Sequence, residues 1–285
     1  MRSIALVVNQ ESGDGRAGEV ELLLRDAGAE VEAFAVDDPE GAATSGAERV
    51  VVAGGDGSIG PAAAAAAAAG LPLAVIAAGT ANDFAAVMGL PPDLEAACRL
   101  AVRGEEQREL ELGRAGGRPF VNVASVGLSP EAAEQADGLK DRLGALAYPA
   151  GAVRAGAQAD PVGCRVECDG AILHEGDAWQ VSIACTGAFG GGASLTTDAA
   201  DGLLDVVVIE GGSRARLVKH AYGLRVGSVE GQKGVLDSRC SAVRLRLPEG
   251  ECLNIDGEIV EAAELIAGGA IDFTVDPDRF GLVVG

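Results

Sequence analysis

The sequence predicts an α/β fold with a parallel sheet in its first part, followed by a β-rich domain. Up to residue 103, short apolar runs alternate with segments of helical spacing, which is typical of a parallel sheet covered by helices. From residue 106 onward, strand-like stretches dominate. Aromatic residues make up only 3% of the 285 residues and 42 are glycine, so the core must consist of Ala, Val and Leu, and glycines mark special backbone geometry.

The first part repeats a strand followed by a helix. The apolar run 3–8 (SIALVV) predicts the first strand, and helical spacing of apolar residues predicts a helix over 16–27. In the alanine tract 62–69, Pro61 is expected in the first helical turn and Gly70 at the C-terminal end. Further strands are predicted over 31–36, 49–53 and 73–76, and further helices over 81–88 and 93–103.

The second part is predicted to form a β-sandwich. Its strands are predicted over 106–112, 119–126, 162–168, 178–186, 203–210, 240–247 and 270–275, with helical patterns at 139–157 and 213–225. The glycine-rich stretch 113–117 (GRAGG) is the predicted linker. We therefore expect domains over 1–115 and 116–285, with the C-terminal end packing back on the first domain.

Charge and composition exclude several classes of function. The chain has 22 Lys and Arg against 43 Asp and Glu, and the resulting net charge of −21 repels nucleic acid. No apolar run approaches the roughly 20 residues of a transmembrane helix. The six cysteines form no C-x-x-C pair, which predicts reduced thiols in the core. The first residues do not resemble a signal peptide, so a cytoplasmic location is expected.

A glycine-rich turn follows the strand 49–53. Residues 54–58 (GGDGS) lead from this strand into a helix, an arrangement in which backbone N–H groups and the helix N-terminus bind phosphate. Asp56 would repel a bare phosphate, so a bridging divalent cation is expected. The alternative is an ordinary turn between strand and helix.

Polar residues also follow the next strand. Thr80, Asn82 and Asp83 lie in the segment 78–84 (AGTANDF) and supply a hydroxyl, an amide and a carboxylate. Because the carboxyl ends of neighbouring parallel strands share one crevice, we expect these groups near Asp56. Taken alone, Thr80 or Asn82 is more typical of a helix cap, and the glycine-rich turn at the neighbouring strand end is what favours a site.

A dinucleotide-binding fold is a poorer interpretation. Two G-x-G-x-x-G matches occur, at 13–18 and 55–60. The first begins several residues after its strand, and the second is not followed by an acidic residue at the end of the next strand, where 73–78 is entirely apolar.

These motifs together resemble a known family. The segments GGDGS at 54–58 and PLAVIAAGTANDFA at 72–85 are similar to the GGDGT and P-x-G-T-x-N-D-F-A signatures of the diacylglycerol kinase catalytic-domain family, the soluble lipid kinases. Other similar segments are NQESG at 9–13, KDRLGALAY at 140–148, DGLLD at 201–205 and NIDGE at 254–258. The resemblance implies a diacylglycerol kinase- and NAD kinase-like fold with the active site between two domains.

The resemblance also implies roles for individual residues. It assigns ATP binding to Asn9, Ser12, Gly13, Gly54, Gly55, Asp56, Gly57, Ser58, Gly79, Thr80 and Asn82. Asp56 and Asp83 would serve the catalytic Mg²⁺ and its waters. Glu258 matches the family's general base, which takes the proton of the acceptor hydroxyl. Without the resemblance, Glu258 would be a turn acid between two strands.

A second Mg²⁺ is implied in the β-rich domain. By resemblance, the side chain of Asp201 and the backbone carbonyls of Asp198 and Leu203 hold an ion that stiffens this domain. Oxygen ligands suit that ion. The alternative is an Asp-Gly turn that opens a strand.

The sequence departs from the family pattern at several positions. Ser129 stands where many members have Asp, and Gly60-Pro61 replaces an Asn-Glu pair after the glycine motif. The proline that usually precedes Asp201 is missing, and Arg16 is the basic residue that remains near the first loop. These departures leave open a kinase that has lost its activity.

The expected function is transfer of the γ-phosphate of ATP, with Mg²⁺, to a hydroxyl of diacylglycerol or a similar lipid. The acceptor would be reached at the inner membrane surface through transient contact, although the net charge of −21 opposes approach to anionic lipid. A kinase for a soluble acceptor, as in NAD kinase, and a nucleotide-binding regulatory protein without turnover are the alternatives. Homodimerisation is left open.

Overall fold

A computed structural model describes residues 1–8, 16–127, 160–185, 200–213 and 234–285. The helical pattern predicted over 139–157 lies outside these residues, as does nearly all of that over 213–225. The described part contains two sheets, which confirms the predicted α/β domain followed by a β-rich domain.

The elements of the first sheet and its helices come mainly from the first part of the chain. In order they are β1 (Arg2–Val8), α1 (Arg16–Asp26), β2 (Ala29–Ala35), α2 (Pro39–Thr44), β3 (Arg49–Gly54), α3 (Asp56–Ala69), β4 (Leu73–Ala77), α4 (Asp83–Val87), α5 (Leu94–Arg103) and β5 (Glu106–Leu110). The elements that follow are β6 (Gly113–Ala115), β7 (Arg118–Phe120), β8 (Val123–Gly127), β9 (Val162–Cys168), β10 (Ala171–Ala184), β11 (Leu204–Glu210), β12 (Val235–Cys240), β13 (Ala242–Arg246), β14 (Cys252–Ile255), β15 (Glu258–Glu261), α6 (Ala262–Leu265), β16 (Ile271–Val275) and β17 (Phe280–Val284).

The first sheet has the strand order β2-β1-β3-β4-β17-β5 among the described residues. The first five strands in this order run parallel, and β5 is antiparallel to β17. Alternate residues of β1 enter two different cores: Ala5 and Val7 pack with α3, whereas Ile4 and Leu6 pack with α1 and α5. Helices therefore cover both faces, as the uninterrupted apolar strands predicted. The C-terminal strand β17 is part of this sheet.

The alanine-rich helix α3 starts earlier than predicted. It begins at Asp56, directly after the N-cap Gly55, so Pro61 lies inside the helix rather than in its first turn. The reason is that the glycine-rich turn itself forms the first helical turn, in which the N–H of Ser58 donates to the carbonyl of Gly55 at 3.1 Å. Gly70 ends the helix in the left-handed region at φ 66°, as predicted.

The second sheet contains eleven strands among the described residues. Nine of them form a path that begins at β15 and ends at β7, and β11 and β12 branch from this path at β10. The predicted strands 119–126 and 240–247 are each divided in two, and the predicted strand 178–186 is the C-terminal half of the longer β10. Residues 113–117 form β6 and the turn of a hairpin with β7, in which Gly116 and Gly117 have φ of 55° and 92°. The chain thus passes from one sheet to the other at 111–112.

All six cysteines are free thiols, in agreement with the absence of paired spacing. Five are buried, but Cys252 is exposed, because its side chain lies on the solvent face of β14. In the described ranges, no helix has both the length and the apolar character that a membrane span requires.

Close contacts join the two sheets near the start of α3. A Cβ placed on Gly60 would lie 2.8 Å from the carbonyl oxygen of Pro119, so α3 packs directly on the backbone of β7. Val121, which follows β7, is fully buried in the apolar cluster of the first sheet. These contacts bring the second sheet to the turn 54–58.

Candidate active site

The turns after β3 and β4 touch each other at the carboxyl edge of the first sheet. A Cβ on Gly79 would lie 2.5 Å from the Cα of Gly55, so only glycine allows this approach at position 79. The N–H of Ala78 also donates to the carbonyl of Gly54 at 2.9 Å. Because β3 and β4 are parallel neighbours, the two polar segments of the sequence form one edge.

Asp56 connects these two turns through its carboxylate. Oδ2 accepts the backbone N–H of Asp83 at 3.1 Å, and Oδ1 accepts the N–H of Phe84 at 2.9 Å. The Asn122 side chain, from the segment between β7 and β8, donates to the same Oδ1 at 3.4 Å. Asp56 therefore fixes the start of α4 and also contacts the second sheet.

The other polar residues of these turns shape the backbone. Asn82 has a left-handed φ of 54°, and its side chain bonds both the N–H and the carbonyl of Gly79 at 2.9 Å. The Ser58 hydroxyl donates to the carbonyl of Gly55 at 2.7 Å. The Thr80 side chain is exposed. Asn82 and Ser58 therefore stabilise the backbone of the two turns at this edge.

The predicted first loop lies largely outside the described residues, and with it Asn9, Ser12 and Gly13. The described chain resumes at Arg16, the first residue of α1. Its Nη1 donates to the carbonyl of Ala78 at 3.0 Å, which places a guanidinium beside the turn after β4. This edge therefore has a cation as well as two carboxylates.

Glu258 reaches this edge from the second sheet. It is the first residue of β15, and a Cβ on Gly57 would lie 2.6 Å from its Oε1. Its other carboxylate oxygen, Oε2, accepts a hydrogen bond from the Arg118 guanidinium of β7. The structure thus brings Glu258 and the turn 54–58 together, although they are about 200 residues apart in the chain.

Asp256 is a buried carboxylate that the sequence analysis did not select. Oδ2 accepts the backbone N–H of Val121 at 2.7 Å, and Oδ1 accepts those of Asn122 and Val123 at 2.9 Å each. Burial raises the pKa of Asp256 to about 7, and the nearby charge of Asp56 adds to this increase. Asp256 therefore holds the segment that carries Asn122.

Arg118, Asn122 and Asp256 were all missed at the level of sequence. A signal existed for Asp256, because Asp-Gly between two apolar strands predicts a tight hairpin turn. The structure has this turn, with Asp256 and Gly257 at φ 48° and 91°. Nothing in the sequence indicated that the carboxylate would point inward.

Of the three residues expected to hold the second Mg²⁺, the structure describes Asp201 and Leu203. Asp198 lies outside the described residues. The Asp201 carboxylate accepts the N–H of Leu203 at 3.0 Å and pairs with the guanidinium of Arg239. Arg239 also donates to Asp205 at 3.0 Å, and Asp205 is almost fully buried. An arginine thus pairs with the carboxylate where the resemblance implied Mg²⁺, and its positive charge disfavours an ion there. The Mg²⁺ site itself stays a prediction, because Asp198 is one of its expected ligands.

Two family models match successive parts of the chain. Residues 3–115 match the diacylglycerol kinase catalytic domain, and residues 122–282 match the YegS C-terminal NAD kinase beta sandwich-like domain. The chain belongs to the diacylglycerol kinase catalytic-domain family. This confirms the resemblance that the glycine-rich motifs indicated.

Curated relatives of this diacylglycerol kinase-family chain include named lipid kinases. A probable lipid kinase YegS-like protein of Pseudomonas putida is 32% identical over 79% of this chain and 75% of its own length. The diacylglycerol kinase of Bacillus subtilis is 28% identical over 73% of this chain and 70% of its own length.

Solved structures share the fold. A putative diacylglycerol kinase from Bacillus anthracis matches with a TM-score of 0.75 and 19% identity over 100% of this chain and 97% of that chain. Yeast NADH kinase complexed with NADH matches with a TM-score of 0.51 and 11% identity over 100% of this chain and 84% of that chain. The diacylglycerol kinase-family chain therefore has the expected fold, related to that of NAD kinases.

Proposed function

We propose that this chain is a lipid kinase that transfers the γ-phosphate of ATP, with Mg²⁺, to a hydroxyl of diacylglycerol or a similar lipid. The observation that carries the proposal is the contact between Glu258 and Gly57, because it joins the expected base to the expected phosphate turn. Membership in a family of lipid kinases supports the same reaction.

The edge formed by β3 and β4 is suited to bind the nucleotide phosphates. Gly54, Gly55 and Gly57 let backbone N–H groups approach an anion, and the 14-residue helix α3 directs its N-terminus to the same place. The Arg16 guanidinium beside Ala78 adds a cation. In this proposal, Ser58 and Asn82 keep both turns in the binding conformation, and Thr80 contributes its exposed hydroxyl.

The residues present at this edge also fit a Mg²⁺. The Asp56 carboxylate has about four acceptor sites and receives three N–H donors. Asp83, the first residue of α4, supplies a second carboxylate close by. Mg²⁺ sites of kinases use one or two carboxylates together with phosphates and water. When bound, the ion would neutralise part of the phosphate charge.

Glu258 acts as the general base in this scheme. It accepts the proton of the acceptor hydroxyl while that oxygen forms a bond to the γ-phosphorus. The bond from the γ-phosphorus to the bridging oxygen breaks, and the electron pair leaves with ADP. Phosphoryl transfer demands positioning and charge stabilisation more than covalent catalysis, so residues from both sheets must meet at the phosphate turn.

A kinase for a soluble acceptor is the second candidate. Two observations favour it: the net charge of −21 opposes approach to anionic lipid, and the fold is shared with yeast NADH kinase. In the lipid reading, contact with the membrane is brief and the protein otherwise stays in the cytoplasm. The identity of the acceptor therefore has to be tested directly.

The test is transfer of labelled γ-phosphate from Mg-ATP to diacylglycerol and other lipid alcohols in mixed micelles, beside soluble alcohols and NAD. We expect label on a lipid, and a loss of more than about 100-fold in Glu258→Gln. Glu261→Gln is the matched control, because Glu261 is an exposed glutamate on the same strand.

Each outcome separates the candidates. If only a soluble acceptor is labelled, the protein is a kinase for that acceptor and the lipid-kinase proposal is wrong. Binding of Mg-ATP without any transfer would indicate a regulatory protein, and full activity in Glu258→Gln would remove Glu258 from its role as the base.

A further inference from the structure

The ion pair between Arg118 and Glu258 closes the second sheet at the phosphate turn. In the described residues, β7 and β15 are the two ends of that sheet's strand path, and these two side chains connect them. Glu258 simultaneously contacts Gly57 in the first turn of α3. The guanidinium of Arg118 is therefore held within one side-chain length of the proposed phosphate site.

The ion pair between Arg118 and Glu258 contributes little to the stability of the fold. The side chains of Arg118 and Glu258 are 33% and 51% exposed, and ion pairs with this exposure contribute about 0–1 kcal/mol. Glu258 engages one of the five N–H donors of the guanidinium. The backbone beneath Arg118, in contrast, is fixed by the hairpin with β6 and by the packing of Pro119 on α3.

The site has an excess of negative charge, which a mobile cation near the γ-phosphate would offset. Asp56, Asp83 and Glu258 bring three carboxylates to this edge, and the triphosphate would add further negative charge. Arg16 lies beside the turn after β4, whereas Arg118 lies on the side of the proposed base. An arginine next to the base can neutralise it before the nucleotide arrives and then bind the transferred group.

We propose that Arg118 is a catalytic residue that binds the γ-phosphate of the nucleotide and pairs with Glu258 only until this phosphate arrives. The inference rests on the proposed function. When the γ-phosphate occupies the N-terminus of α3, the guanidinium of Arg118 moves from the carboxylate of Glu258 to the phosphate oxygens. Glu258 then becomes available to the acceptor hydroxyl, so the base is released only when the phosphate is in place. The proton and the phosphoryl group move as in the scheme above.

Nucleotide binding provides the first test and does not need an acceptor. Calorimetric titration of the full chain with Mg-AMP-PNP and Mg-ADP compares nucleotides with and without a γ-phosphate group. In Arg118→Ala we expect about tenfold weaker binding of AMP-PNP and less than about twofold change for ADP. Arg244→Ala is the control, because Arg244 forms a similarly exposed ion pair with Asp272 on β13 and β16.

Steady-state kinetics provide the second test. Arg118→Ala should lower kcat by about 100-fold, with a much smaller change in KM for the acceptor. Added guanidinium ion should restore part of kcat in Arg118→Ala and none in Arg244→Ala. Arg118→Lys keeps the charge but loses the planar fork, so it should recover part of the activity.

The results distinguish this inference from the proposed function. Equal weakening of AMP-PNP and ADP, or unchanged binding of both with a normal thermal melt, would overturn the role of Arg118 and leave the kinase intact. A wild-type chain that binds neither nucleotide would overturn both. If Arg118→Ala fails to fold, the test is made with Arg118→Lys instead. The quantity compared is again the ratio of the affinities for AMP-PNP and ADP.

Discussion

The carboxylate of Glu258 lies against the Cα of Gly57, so that a Cβ at position 57 would stand 2.6 Å from its Oε1. Gly57 is in the first turn of α3 and has no positive φ, so the backbone itself accepts alanine. The glycine is needed because the side chain of another strand occupies the space of its Cβ.

We therefore predict that Gly57→Ala displaces Glu258 while the protein remains folded. Turnover should fall on the order of 100-fold, because a displacement of about 1 Å in a reacting group has an effect of this size. Phosphate-transfer kinetics and a thermal melt measure the two properties separately. Gly18→Ala in α1 is the control, because its Cβ would meet nothing within 4 Å. Normal turnover in Gly57→Ala would show that this contact has no role in the reaction.

Asp56 should contribute to both stability and activity. Asp56→Ala leaves the N–H groups of Asp83 and the buried Phe84 without their carboxylate acceptor, so we expect a loss of about 1–3 kcal/mol in the free energy of unfolding. Glu258→Gln should keep its stability, because that side chain is half exposed. Urea denaturation of both variants checks this difference, and equal stability of Asp56→Ala and wild type would contradict it.

The stability of the protein should depend on the ionisation of Asp256. Burial raises the pKa of Asp256 to about 7 from the ordinary value of 3.8, so the folded protein holds the proton more tightly than the unfolded chain. Between these two values the free energy of unfolding should fall as pH rises, by at most about 1.4 kcal/mol per pH unit. The charge of Asp56 faces Asp256 and acts in the same direction.

Asp256→Asn removes this titration. The amide cannot accept all three backbone N–H groups of 121–123, so the variant should be less stable than wild type at about pH 5. The difference in the free energy of unfolding between the two proteins should narrow towards about pH 8, because the wild type loses stability as its buried carboxylate becomes charged. Urea denaturation of both proteins in metal-free buffer measures this difference. A difference that stays constant over this range would show that Asp256 is ionised in the folded protein throughout.

Removal of Mg²⁺ should leave the second sheet stable. Arg239 pairs with Asp201 and Asp205, and its positive charge disfavours a divalent cation at the same carboxylates. We expect the same Tm for the nucleotide-free wild type in EDTA and in Mg²⁺. Arg239→Ala should melt a few degrees lower and regain part of this loss with Mg²⁺. A lower Tm of the wild type in EDTA would contradict this expectation and support the Mg²⁺ site that the resemblance implies.

Local pattern was sufficient for much of the fold. The apolar run of β1 specified a buried parallel strand, because both of its faces are covered by helices, and the Asp-Gly pair at 256–257 fits a tight hairpin. The start of α3 was predicted wrongly, because a proline signals a first turn only when no earlier residue can begin the helix. The division of 119–126 into two strands also escaped the sequence pattern, because Asp256 binds the backbone of 121–123 from outside that segment.

The sequence by itself determined the family, the two kinds of sheet and the polar segments that end β3 and β4, since these depend on spacing within short stretches of chain. Only the tertiary structure decided that Arg118 faces Glu258, that Asp256 holds the segment carrying Asn122, and that Arg239 pairs with Asp201. Each of these contacts joins residues between about 40 and 140 positions apart. Their distance in space is fixed by sheet order and packing, and a pattern of neighbouring residues contains no information about either.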